Sequence, residues 1–166
     1  MSVKEEADRL FELLNAEELP PSVAISGLDQ FSVESKNALV ARVTRTFDPA
    51  SRSQLLARLL LLLTDENRAD IETAFISNLR SPFPGARRAS LYGLAELNHP
   101  SITDLAIVSL RDDSDQVLVT ACDLLVPKAK QDPRLWKILQ DVYAMHKGDL
   151  QFHMTVSFLE AHGITK

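Results

Sequence analysis

Residues 79–94, LRSPFPGARRASLYGL, decide how this chain is read, because the same arrangement returns on either side of them. Residues 47–62, FDPASRSQLLARLLLL, and residues 110–125, LRDDSDQVLVTACDLL, align with that stretch so that Gln54, Ala86 and Val117 become equivalent. A looser fourth copy puts Leu150 in the same role, which makes the steps 32, 31 and 33 residues. Each copy opens with a turn rich in Pro or Asp and continues with apolar residues three and four apart. Repetition at this period predicts stacked helical pairs, none of which can bury its apolar face alone.

Working outward, nearly every segment carries helical spacing and none shows the strict alternation of a half-buried strand, so the fold class expected is all-α. A first helix is expected over 3–15, ended before the adjacent prolines Pro20 and Pro21, with a short helix near 21–29. Helices 33–46 and 50–64 form a pair, with Ser32 as N-cap and Asp48-Pro49 as the turn between them. The next pair is 67–80 and 84–98, joined by SPFPG and ended by Asn98-His99-Pro100. Helices 101–111 and 115–126 follow, linked by DDSD, with Pro127 ending or kinking the second; 133–147 and 149–162 complete the series.

Charge is uneven along the chain. Residues 1–35 hold eight acids and two bases, residues 36–111 ten bases and seven acids, and residues 112–166 eight acids and six bases. Nine of the ten central bases are arginines. Arginine suits phosphate, but it serves interface ion pairs equally well, and a structural role is expected for most of these. The longest apolar run, Leu59 to Leu63, is far too short to span a bilayer, and the acidic start MSVKEEADRL is neither a secretory signal nor a transit peptide. A cytoplasmic protein without a membrane span is expected. Cys122 is the only cysteine, which excludes an intramolecular disulfide.

The turn-to-helix segments resemble the HEAT-repeat family, particularly the short bacterial HEAT-like repeats of the phycobilisome-lyase type. Leu79, Ala86-Arg87-Arg88-Ala89-Ser90 and Leu94 match the repeat well; Leu110, Asp112, Val117, Ala121 and Leu125 match it moderately. Leu118 stands in place of the repeat's Arg in the third unit, and Gln54-Leu55 in place of Val-Arg in the first. The resemblance implies a right-handed α-α superhelix of four to five helical hairpins. It is expected as one domain over 1–166, with an N-terminal cap over 1–31 and repeats over 32–162. It also implies that Arg87 bonds the acidic turn Asp112-Asp113, and that the second helices line a concave surface.

On a helical wheel, Ala86, Ser90, Gly93 and Leu97 face inward. Small residues at 89, 90 and 93 let neighbouring helices approach, and Leu94 fills the space between layers. The opposite face then carries Arg88, Leu91 and Tyr92, with Leu56, Leu60 and Leu63 equivalent before it and Val119 and Asp123 after it. These eight residues are the candidate partner-binding site. The all-round apolar run LLARLLLLL must be covered, by the N-terminal helices, by a partner or by a second copy of the chain.

Chemistry is weakly signalled. Asp112, Asp113 and Asp115 open like a calcium loop, but Val117 fails the next ligand position. His146, His153 and His162 lack metal-site spacing, and Cys122 has no histidine at a catalytic spacing. No catalytic residue, metal or cofactor is expected. The function expected is a non-enzymatic scaffold or adaptor that holds a protein segment in its groove, with a homodimer also open. The alternatives are a subunit like the bilin lyases, implied by the resemblance, and nucleic-acid binding. The latter is disfavoured because only Arg88 and Arg58 would be on the concave face.

Overall fold

The computed structural model describes residues 1–16, 28–45 and 53–165. The turn expected at Asp48-Pro49, and all but the last two residues of the helix expected near 21–29, lie outside them. Among the described residues every regular element is helical, and the chain divides into two compact units, Met1–Gly93 and Leu94–Lys166.

The first unit begins with α1 (Val3–Asn15), whose start is fixed by a capping box. The Ser2 hydroxyl accepts from the Glu5 amide, and the Glu5 carboxylate accepts from the Ser2 amide at 2.7 Å. Helix α2 (Val33–Arg45) is capped by Ser32 as the sequence suggests, its Oγ accepting from the Ser35 amide at 3.2 Å. α1 packs on α2, and α2 packs on α4 (Arg68–Asn78). The leucine run does not form the long helix expected over 50–64. It forms α3 (Ser53–Arg58) and then tightens into a 3₁₀ segment, Leu59–Leu62. Side chains three apart eclipse in a 3₁₀ helix, so Leu62 follows Leu59 onto the inner face. Leu55, Leu56, Leu59 and Leu62 are buried, with α1 packed against α3 and α2 against the 3₁₀ segment. Each contributes roughly 1.5–3 kcal/mol by leaving water.

Helix α5 (Pro84–Glu96) contains the boundary between the units, after Gly93. A β-carbon at Gly93 would lie 2.3 Å from the Phe75 ring of α4, so the glycine is required for that ring to lie flat on α5. Ser90 is fully buried, and among the described residues its hydroxyl has no hydrogen-bond partner.

The second unit contains α6 (Ile102–Ser109), α7 (Asp115–Ala129), α8 (Pro133–His146), a 3₁₀ turn Leu150–Phe152 and α9 (His153–Ala161). α7 is its centre, packing on α6, α8 and α9, and it buries Val117, Leu118, Ala121, Cys122 and Leu125. Pro127 does not end α7, which continues to Ala129. The bond that Pro127 cannot donate would go to the carbonyl of Asp123, and both residues are on the exposed side of the helix. Asn98, at φ 52°, closes α5, and the His99 amide reaches back to the Leu94 carbonyl at 2.9 Å.

Candidate binding groove

The first unit carries an apolar groove of about 370 Å³, lined by Ala57, Leu60, Gly85, Arg88, Ala89, Tyr92 and Gly93. One wall is the end of α3 with the 3₁₀ segment, and the other is α5. Gly85 and Ala89, four apart, form a shallow floor along α5 that ends at the buried Gly93, beneath the Phe75 ring; Arg88 and Tyr92, also four apart, form the ridge beside it. The Arg88 guanidinium lies over the Tyr92 ring, 5.8 Å from its centroid, and both side chains are exposed.

Three candidate residues, Leu60, Arg88 and Tyr92, therefore meet at one groove. Two others are corrected by the structure: Leu56 and Leu91 are fully buried and present nothing to a partner. The reason is that α5 buries a broader face than the wheel allowed, taking in Leu91 as well as Ala86, Ser90 and Leu94. Ala89, expected on the packed side, is half-buried and lines the groove instead. Leu63 follows the 3₁₀ segment with 38% of its surface exposed, outside the groove lining. Val119, half-buried, and Asp123, exposed, belong to α7 of the second unit. Ala57 and Gly85 were missed, although the 85-89-93 spacing of small residues was visible in the sequence.

Four of the central arginines are engaged with the protein itself. Arg58 donates to the carbonyls of Leu14 and Ala16, at 2.5 and 2.9 Å, and so caps α1, which has no base in its last turn. Arg42 pairs with Asp8 at 2.5 Å and lies over the Phe11 ring. Arg68 pairs with Glu72 at 3.3 Å, and Arg87 donates to the Ser81 carbonyl at 2.9 Å. A second recess, of about 390 Å³, is polar and lined by residues including Thr44, Asp70, Thr73, Ser77 and Arg80. Its Thr73 and Ser77 hydroxyls already donate to carbonyls of their own helix.

No family model, curated protein or solved structure matches this chain. Nothing outside the molecule therefore adds to its own geometry.

Cys122, Asp112 and Asp115, singled out in the sequence, are each engaged structurally. Burial, then Asp115 and Asp123, push the Cys122 thiol up to about 12, so it is protonated and not nucleophilic near neutrality. In the DDSD turn, Asp112 Oδ1 accepts from the Ser114 amide at 2.9 Å. Asp115 turns inward and accepts from the Met154 and Thr155 amides, each at 2.9 Å, and from the Thr155 hydroxyl at 2.6 Å. Among the described residues no three His, Cys, Asp or Glu side chains are grouped to hold a metal, and no helix is long and apolar enough to cross a membrane.

Proposed function

We propose that this chain is an interaction module built of HEAT-like helical pairs, and that it holds a segment of a partner protein in the groove of its first unit without catalysing a reaction. The observation that carries this is the groove: an apolar lining from Ala57, Leu60 and Ala89 beside exposed Arg88 and Tyr92. Arginine and tyrosine at the edge of an apolar cleft are the side chains that most often anchor protein interfaces. The sequence recurrence at steps of 31 to 33 residues supports the repeat architecture. The use of Arg42, Arg58, Arg68 and Arg87 within the protein favours a protein partner over nucleic acid.

The test is site-specific photocrosslinking in the native host, with p-benzoylphenylalanine replacing Tyr92 and, as control, Val108, which is 70% exposed in the second unit. A discrete adduct from position 92 and none from 108 is expected. Absence of any adduct at 92 sinks the proposal. A crosslink to another copy of the chain would replace the partner by self-association.

A further inference from the structure

The polar chemistry of the groove narrows what it accepts. Four exposed cations elsewhere in the molecule have carboxylates beside them: Arg42 has Asp8, Arg68 has Glu72, Arg134 has Asp132 and Lys137 has Asp141. Among the described residues Arg88 has no such ion pair, and the positions three and four away on its own helix are Pro84, Gly85, Leu91 and Tyr92. It is an exposed guanidinium on a chain of net charge −5, and it stands at the edge of an apolar slot with an aromatic ring beneath it. A guanidinium held over a ring keeps its outward N–H fork available to a planar acceptor.

We infer that the occupant of the groove is an acidic amphipathic helix of the partner protein, with an aliphatic side chain between Ala57 and Ala89 and a carboxylate on Arg88. This rests on the groove being the binding site. A helix suits the floor because small residues four apart on α5 let a second helix approach closely, with ridges fitting grooves. The carboxylate supplies the charge that Arg88 lacks, and the apolar wall beside it weakens competition from water.

The experiment uses the full chain and two probes: a short stapled amphipathic helix with leucines one turn apart and a glutamate beside them, and its twin with lysine in place of that glutamate. Binding is read by fluorescence anisotropy, and location by amide shifts at Ala57, Ala89 and Gly93. The glutamate helix should bind about fivefold tighter than its twin. Arg88→Gln should erase that preference and Arg88→Glu reverse it, with the circular dichroism unchanged. Equal affinities with shifts at the groove would overturn the carboxylate while leaving the groove intact as a site. Absence of groove shifts under both probes would overturn the inference altogether, and crosslinking at position 92 then decides separately whether the groove is used.

Discussion

In the first unit most polar ties between helices run over the surface, the exception being half-buried Glu6 with Ser32 and the buried Ser35. Asp8 and Arg42 join α1 to α2 with about half of each side chain in water, Arg58 reaches the end of α1, and Asn37 donates to Glu66 at 2.6 Å. In the second unit the tie that matters most is inside: Asp115, 8% exposed at the start of α7, supplies the N-terminal cap that α9 lacks from its own sequence. Exposed pairs are each worth little and are screened by salt, whereas a buried carboxylate with three donors is costly to disturb. Of the two units, the first therefore rests mainly on apolar burial, and the second combines burial with one polar contact that cannot be spared.

The largest effect expected is from Asp115→Ala, which strands two amides and the Thr155 hydroxyl and should cost about 3 kcal/mol. Urea unfolding followed by the fluorescence of Trp136, the sole tryptophan and a residue of α8, measures it. Gly93→Ala probes apolar packing in the first unit and should cost about 2 kcal/mol, because its new methyl meets a fully buried Phe75 ring. Added to Phe75→Leu, it should cost clearly less than the sum of the two single changes.

Arg58→Gln should cost about 1 kcal/mol and raise hydrogen exchange selectively in the last turn of α1. If that cost equalled the one at Asp115, the contrast between the units would collapse.

The smallest effect is one of pH. Glu6 accepts hydrogen bonds from Ser35 and Ser32, which hold its carboxyl below the usual range. A carboxyl lowered in the folded state stabilises above its unfolded pKa, and that contribution is lost as pH falls through the folded value. The tie between α1 and α2 should loosen below about pH 4.3, seen as faster exchange in α1, and Glu6→Gln should remove the pH dependence.

Helix positions were largely legible because Pro, Asp and Ser punctuate them: Ser32, SPFPG and Asn98-His99-Pro100 all bound elements where expected. The break at Arg58 was not, since LLARLLLLL contains no breaker and the switch to 3₁₀ comes from tertiary packing of Leu59 and Leu62. Pro127, expected to end or kink its helix, does not end it, because a proline near a helix end need not stop the helix. At the groove, Arg88, Tyr92 and Leu60 followed from helical periodicity, while the burial of Leu56 and Leu91 did not. A single wheel assigns one inward direction to a helix that packs on more than one side.

The contact at Asp115 also sets an order of events. Synthesis delivers α7 first, and the amides that its leading carboxylate binds belong to residues 154 and 155, the latter 40 positions later. Until they arrive, the charge must stay hydrated and the N-terminal turn of α7 must stay open to water. A nascent chain cut anywhere before residue 154 thus carries a central helix it cannot seal. The second unit should therefore reach its full stability only when its final helix is complete.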